Sequence, residues 1–215
     1  MNRLSFFGCV VGCVMQLVGC SMGAPSHVVV EEDSVHQKKM EEYKYHYKYP
    51  HPSVTTDNVI FGFDGSTVKV LLIERSGEPY KGCWAFPGGF LEMDESADEG
   101  AKRELMEETG LATPFVKQFH TFSAPDRDPR ERVLTIAYYS LVHTSEVKGM
   151  DDAARAEWFS LDDVPKLAFD HAEILRMARE ELNKDFRLGG KDLESLTEDF
   201  TKEELLKIEK AIQSK

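Results

Sequence analysis

The feature that most constrains the fold is a stretch of 23 residues, Gly89–Leu111, which combines a helix start, a helix stop and several carboxylates. Ser96 and Glu99 have the spacing of a capping box, so we expect a helix to begin there. Gly110 stands where a helix often ends in a left-handed residue. A small apolar stripe at intervals of four residues lies between these points and is formed by Ala97, Ala101 and Leu105. The stretch is therefore predicted to be a helix that packs on a sheet.

Three glutamates lie on a different face of the same helix. Glu104 and Glu108 are four positions apart, and Glu107 is three positions beyond Glu104, so their carboxylates are neighbours. Like charges at this spacing repel each other unless they are fully solvated or neutralised by a cation. The face is therefore either an exposed acidic surface or a site for a hard divalent cation such as Mg²⁺ or Mn²⁺, which prefers oxygen ligands.

The spacing of the whole stretch decides between these interpretations. A glycine, five residues, a glutamate, seven residues and then Arg-Glu-Leu-x-Glu-Glu-x-Gly-Leu resembles the Nudix box, and every defined position of that pattern is filled. The resemblance implies a Nudix hydrolase with an α/β fold, arranged as an α/β/α sandwich with a mixed sheet. It also implies metal-dependent hydrolysis of a nucleoside diphosphate linked to another group.

The same resemblance implies roles for the residues of the box. Glu104 and Glu108 correspond to the main metal ligands, and Glu107 to a residue at the metal or near the attacking water. Arg103 corresponds to the arginine that orients a box glutamate, and Glu95 to a supporting group. A Pro-Gly-Gly run just before the box allows a backbone carbonyl to approach the metal. The predicted catalytic residues are Glu107, Glu104 and Arg103, and the predicted metal ligands are Glu104, Glu108, Glu107 and Gly88.

Residues beyond the box narrow the choice of substrate. Pro125 stands at about the distance from the box that marks the ADP-ribose-hydrolysing branch of the family. The Arg-Asp-Pro-Arg run of residues 127–130 and the later run Leu167–His171 resemble one bacterial subgroup of ADP-ribose pyrophosphatases. The resemblance therefore implies hydrolysis of ADP-ribose, or of a related small nucleoside diphosphate, to AMP and a phosphorylated sugar.

Two arginines of this loop have alternative roles. Arg127 and Arg130 are predicted to bind substrate phosphate together with Pro125, and the alternative is a loop salt bridge with Asp126 or Asp128. The later His171 is expected to make a hydrogen bond at a helix start. The resemblance leaves the general base open between a box glutamate and an acid on a distal loop. Three acids lie in a suitable loop but are ordinary for a solvated segment and are not assigned: Glu146, Asp151 and Asp152.

The balance of charge argues against a general nucleic-acid surface. The 215 residues include 26 Lys and Arg against 38 Asp and Glu, which gives a net charge of −12 and a pI near 5.1. Because phosphate backbones are bound by Lys and Arg, nucleic acid is not an expected partner. A phosphorylated small molecule remains compatible with this charge, since a metal can supply the positive charge.

The first twenty residues differ in composition from the rest. Arg3 precedes an apolar run of residues 6–18, broken only by Gln16, which has the length of a signal-peptide core rather than of a membrane-spanning helix. A Leu-Val-Gly-Cys run ending at Cys20 resembles the lipobox of bacterial lipoproteins. Residues 1–20 are therefore predicted to be a leader that anchors the protein to a membrane through a lipid on Cys20. Met22 and Met40 offer downstream starts, and either would leave the protein in the cytoplasm.

The rest of the chain is predicted to form three parts. Residues 21–50 read as a polar linker followed by an extended edge segment, Tyr43–Tyr49, whose aromatic residues pack on the sheet or a partner subunit, or stack on an adenine ring. Residues 51–184 form the Nudix hydrolase domain, with a second major helix at Phe169–Leu182, and residues 185–215 form a helical tail. The predicted strands are Val54–Phe63, Val68–Ile73, Trp84–Phe86, Phe115–Ser123, Arg132–Val142 and Glu157–Phe159.

The tail leaves a second class of function open. Thr201 and Glu204 form another capping box before an amphipathic helix, and this segment resembles the opening of the winged-helix domain in Nudix-related transcriptional regulators. Too few residues follow Leu206 for a recognition helix and a wing, and the tail has no basic face. The tail is therefore predicted to be a truncated winged-helix remnant that serves as a packing or dimer helix. The protein is expected to be a homodimeric enzyme rather than a metabolite-sensing regulator.

Overall fold

The computed structural model of the protein describes residue 45 and residues 47–213. The chain divides after residue 48 into two units, and the fold described here is that of the second. The predicted leader with Cys20 and most of the linker lie outside the described residues. Within the predicted edge segment, Tyr47 and Tyr49 are described as exposed residues that belong to no strand. The described part of this segment therefore does not extend the sheet.

A six-stranded mixed sheet forms the centre of the second unit. Its strands are β1 (Ser53–Phe63), β2 (Val68–Arg75), β3 (Trp84–Ala85), β4 (Lys117–Phe122), β5 (Val133–His143) and β6 (Ala153–Ser160). The strand order is β3-β2-β1-β5-β4, and β6 also pairs with β2. Strands β1 and β5 are parallel, whereas β1 and β2 form the predicted antiparallel hairpin. The predicted mixed sheet is confirmed.

Helices pack on both faces of this sheet. They are α1 (Ala97–Thr109), α2 (His171–Leu188), α3 (Lys191–Leu196) and α4 (Lys202–Gln213). Successive residues of a strand point to opposite faces. In β1, Ile60 accordingly packs in one cluster with Leu105 of α1, and Phe61 packs in another with Ile174 of α2. This arrangement confirms the predicted α/β/α sandwich. Among the described residues, no helix has the length and apolar character needed to cross a lipid bilayer.

Helix α1 has the caps that the sequence predicts. The Ser96 hydroxyl accepts a hydrogen bond from the Glu99 amide, and the Glu99 carboxylate accepts one from the Ser96 amide. Gly110 ends the helix with φ at 71°, a conformation that is costly for a residue with a Cβ. Ala101 and Leu105 are fully buried. The apolar stripe therefore fixes α1 on the sheet and sets the direction of its glutamates.

The C-terminal tail belongs to the same core. Helix α2 continues beyond the predicted end at Leu182 because helix-forming residues run up to Gly189, so the predicted boundary between residues 184 and 185 falls inside this helix. In α4, Ile208 is 0% and Ile212 is 2% exposed, and both pack in the cluster that contains Phe61. Helices α3 and α4 therefore complete the core of the second unit.

Replacing Ile208 with alanine tests the packing of α4 on this core. We expect the free energy of unfolding to fall by about 2–4 kcal/mol, because buried methylene groups are lost and a cavity remains. The matched control is Leu206→Ala on the same helix, since Leu206 is 67% exposed and its replacement should change stability by less than about 0.5 kcal/mol. Urea denaturation followed by circular dichroism measures both variants. If Ile208→Ala were as stable as the wild type, α4 would contribute nothing to the core.

Candidate active site

The loop Pro87-Gly88-Gly89 lies directly against strand β1. The amide of Asn58 donates to the carbonyl of Pro87, and the amide of Thr56 donates to the carbonyl of Gly89, both at 2.9 Å. A Cβ placed on Gly88 would lie 2.0 Å from the carbonyl oxygen of Thr56. No larger residue fits there without moving the loop, so glycine is required for this close approach of two backbones.

Glu108 is the most buried of the glutamates on α1. It is 5% exposed, and its Oε2 accepts a hydrogen bond from the Gly88 amide at 2.8 Å. Burial raises the pKa of Glu108 to about 8, and the carboxylates of Glu104, Asp57 and Asp152 act in the same direction. When ionised, Glu108 is a buried negative charge surrounded by others, which is the environment that a bound cation relieves.

Arg103 holds the other carboxylates of the box. Its Nε and Nη2 donate to the two oxygens of Glu95 at 2.9 and 2.6 Å. Its Nη1 donates to Glu104 at 2.8 Å and to Glu107 at 3.0 Å. One guanidinium group therefore restrains three carboxylates. These contacts fit the predicted orienting role of Arg103, with Glu95 as its support.

The three glutamates predicted to bind metal differ in environment. Glu104 is partly buried, and burial raises its pKa, whereas the Glu107 side chain is 46% exposed. Arg103 holds both of these residues, whereas the backbone of the glycine loop holds Glu108. Within the described residues, no three His, Cys, Asp or Glu side chains converge closely enough to hold a metal ion. The all-oxygen donors and the buried charge nevertheless fit a hard divalent cation.

Glu108 and Gly88 border a cavity of about 230 Å³. Five carboxylates line it, those of Asp57, Glu78, Glu108, Asp128 and Asp152, against three guanidinium groups, those of Arg75, Arg127 and Arg130. A diphosphate that entered this cavity alone would meet an excess of negative charge. The site therefore suits an anionic ligand that arrives with a cation.

The two arginines predicted to bind substrate line this cavity, and each is already paired. Arg127 donates through Nε and Nη2 to the two oxygens of Asp170, at 2.9 and 2.8 Å. Arg130 donates in the same way to Asp128, at 3.1 and 2.7 Å. Arg130 therefore forms the salt bridge within the loop that was the alternative prediction. Arg127 instead pairs with Asp170, the residue before α2. Pro125 is exposed and lies outside the cavity lining. A contact of these three residues with substrate stays a prediction.

His171 links helix α2 to the glycine loop. Its Nδ1 accepts a hydrogen bond from the Phe86 amide at 3.0 Å, which is the helix-start hydrogen bond predicted for it. A ring nitrogen that accepts is unprotonated, so Nε2 carries the proton of the neutral ring. Burial accordingly lowers the pKa of His171. The residue therefore fixes the strand that leads into the loop.

Two residues of the cavity wall, Asp57 and Arg75, were not predicted from the sequence. Asp57 lies in β1, is 7% exposed, and approaches Nη2 of Arg127 at 3.7 Å and Nε2 of His171 at 3.5 Å. A single charged residue in the predicted strand Val54–Phe63 was the available signal. Arg75 ends β2, where its Nε donates to the Pro79 carbonyl at 3.0 Å. Its position at the end of an apolar run carried no comparable signal.

Comparisons with known proteins identify a family and two relatives. A family model described as a NUDIX domain matches residues 50–178. The ADP-ribose pyrophosphatase of Methanocaldococcus jannaschii is 43% identical over 138 residues, which are 64% of this chain and 79% of that protein. The ADPR responsive transcriptional repressor NtrR of Acinetobacter baylyi is 35% identical over 165 residues, which are 74% of this chain and 66% of the repressor.

A solved structure extends the similarity to most of the fold. The crystal structure of a MutT/nudix family protein from Enterococcus faecalis superposes with a TM-score of 0.70 and 30% identity, over 85% of this chain and 80% of that one. The family model alone covers more than half of the chain. The chain therefore belongs to the Nudix hydrolase family.

Proposed function

We propose that the protein hydrolyses the pyrophosphate bond of ADP-ribose, or of a related nucleoside diphosphate derivative, to AMP and a sugar phosphate. The observation that carries this proposal is Glu108, a carboxylate of a complete Nudix box that is buried against Gly88 in a cavity with excess negative charge. Similarity to a pyrophosphatase named for ADP-ribose and to a repressor named as responsive to ADPR supports the choice of substrate.

A divalent cation, Mg²⁺ or Mn²⁺, is part of this proposal. The groups that would hold it are the carboxylates of Glu104, Glu107 and Glu108 and the carbonyl of Gly88. Such a cation would offset the negative charge of the phosphates and would lower the pKa of a bound water. The buried glutamates fit such an ion because burial raises the pKa of both Glu104 and Glu108.

Residues of the chain hold the carboxylates in place and accept the proton of the attacking water. The Gly88 amide fixes one oxygen of Glu108, and Arg103 fixes Glu104 next to Glu107. Of the three loop acids left unassigned above, Asp152 is the one that lines the cavity. We therefore assign it as the group that accepts a proton from the attacking water. Arg127 and Arg130 complete the substrate side with their positive charge.

A regulator is the second candidate function, because the alignment with the repressor covers 74% of this chain at 35% identity. Against it stands the packing of α4, whose Ile208 and Ile212 are buried in the core of the Nudix fold. That helix is not available to a separate DNA-binding domain. A gel-shift titration with DNA tests this candidate: binding that survives moderate salt would favour the regulator, since contacts made only by charge weaken steeply with salt.

Turnover of ADP-ribose is the direct test of the proposed reaction. With Mg²⁺ present we expect release of AMP, resolved by chromatography, in preference to turnover of GDP-mannose, diadenosine polyphosphates or 8-oxo-dGTP. Glu108→Gln should lower kcat by at least about 100-fold, which corresponds to about 3 kcal/mol of lost transition-state stabilisation. The control Glu92→Gln changes an exposed glutamate outside the cavity and should keep full activity. Wild-type rates in the Glu108 variant would contradict the assigned role.

The stability of the metal-free protein provides an independent test. The pKa of Glu108 is raised to about 8 in the folded protein, so its contribution to stability is full below the pKa of the unfolded chain and is lost as the pH rises to about 8. In EDTA at about pH 8, Glu108→Gln should therefore melt several degrees above the wild type, and the difference should shrink towards pH 5.

Adding Mg²⁺ should reverse this order. At about pH 8 the ion is expected to raise the melting temperature of the wild type and not that of Glu108→Gln, because only the former offers the buried carboxylate. Differential scanning fluorimetry measures both effects, with Glu92→Gln as the control. An unchanged melting temperature of the wild type across this pH range would show that Glu108 is not desolvated as described.

A further inference from the structure

We propose that Phe90, Arg130 and Phe169, together called the stacking surface, bind the nucleobase of the substrate. This inference rests on the proposed function, because it assigns one half of a nucleoside diphosphate derivative to one end of the cavity. All three residues line the same cavity as Glu108 and Gly88. Phe90 directly follows the glycine loop that contacts Glu108. A ligand whose phosphates lie near Glu108 therefore has its other groups close enough to reach Phe90 within the same cavity.

The guanidinium group of Arg130 joins the two rings. Its Cζ lies 5.5 Å from the centre of the Phe90 ring and 5.6 Å from that of Phe169. Its Nε and Nη2 donate to Asp128, which is 6% exposed and holds the group in one orientation. The edge of the guanidinium group that would bind a phosphate bidentately is therefore occupied. A planar group held in this way stacks on aromatic rings.

The backbone that supports Phe169 is strained. Phe169 has φ at 49° and Tyr80 has φ at 66°, a region that bulky residues rarely adopt. The two rings contact each other at 4.7 Å between centroids, and the guanidinium group of Arg75 lies 4.9 Å from the Phe169 ring. Strained residues of this kind persist where the surrounding structure holds them, often at ligand sites. Here the strain places an aromatic ring in the wall of the cavity.

Exposure of the surface leaves room for a ligand. Phe90 is 43% exposed, and the Arg130 side chain is 39% exposed. Nucleobases stack on aromatic rings and on arginine without needing specific hydrogen bonds. A ribose phosphate has no aromatic ring that could stack on such a surface. The geometry therefore assigns the base to the stacking surface. The sugar phosphate, which is the other product, is assigned to another part of the cavity.

Binding of the two product halves tests this assignment. Isothermal titration calorimetry with AMP, adenosine and ribose 5-phosphate compares the wild type with Phe90→Leu, which keeps an apolar side chain but removes the ring. We expect the affinity for AMP and for adenosine to fall about 5- to 100-fold, with no change for ribose 5-phosphate. In turnover, KM for ADP-ribose should rise by a similar factor while kcat stays within about twofold.

Arg130→Lys separates stacking from charge. The lysine keeps the positive charge but lacks the planar group, so a stacking role predicts that this variant also weakens adenosine binding. If Arg130 acts only on phosphate, adenosine affinity stays unchanged and ribose 5-phosphate affinity falls, which would overturn the proposal. Met93→Leu serves as the control, because Met93 is 57% exposed and lies outside the cavity lining.

The outcomes also distinguish this inference from the proposed function. If ADP-ribose is hydrolysed and Phe90→Leu binds AMP and adenosine like the wild type, the stacking surface is wrong and the reaction stands. If ADP-ribose is not hydrolysed but Phe90→Leu loses affinity for adenosine, the stacking surface stands and the reaction is wrong.

Discussion

The structure depends on a contact between backbones that only glycine allows. Gly88 lies so close to Thr56 of β1 that a Cβ would reach its carbonyl oxygen at 2.0 Å, and the same residue donates its amide to Glu108. The loop is thereby fixed to the sheet on one side and to α1 on the other. Every group of the candidate active site is placed relative to this junction, so its rigidity sets the geometry of the cavity.

Burial of charge is the second consequence of this junction. Packing α1 through Ala101 and Leu105 turns Glu108 inward, where its carboxylate has the Gly88 amide as a hydrogen-bond donor and other carboxylates nearby. Arg103 balances the neighbouring acids at the more exposed end of the cluster. The acids of one helix are therefore held in two ways, Glu104 and Glu107 by an arginine and the buried Glu108 by a backbone amide.

Local signals in the sequence were sufficient for most elements of the fold. The capping box at Ser96, the stop at Gly110 and the hairpin between β1 and β2 all follow from patterns within about twenty residues. The length of α2 was underestimated, because the apolar spacing continues from Leu182 to Phe186, which packs against the core, and the helix ends only at Leu188. The packing of α4 on this core is one of the two roles predicted for the tail, because an amphipathic pattern shows that a face is buried but not what it is buried against.

The partners of polar side chains could not be read from the sequence, because they come from distant segments. Arg127 stands next to two aspartates in the chain yet pairs with Asp170. Asp57 meets Arg127 and His171 only once β1, the following loop and α2 have come together. The residue types of the box indicated the chemistry, whereas the wall of the cavity opposite it depends on tertiary packing.

The parallel pairing of β1 with β5 also has a kinetic consequence. These central strands join residues roughly 80 positions apart, and long-range pairings of this kind slow the folding of a domain. An intermediate that has only the β1–β2 hairpin and α1 would hold the acidic helix without the loop of Arg127 or the start of α2 against it. Such a species would carry the full sequence motif while lacking a competent binding pocket, so ligand binding can report on the last stage of folding.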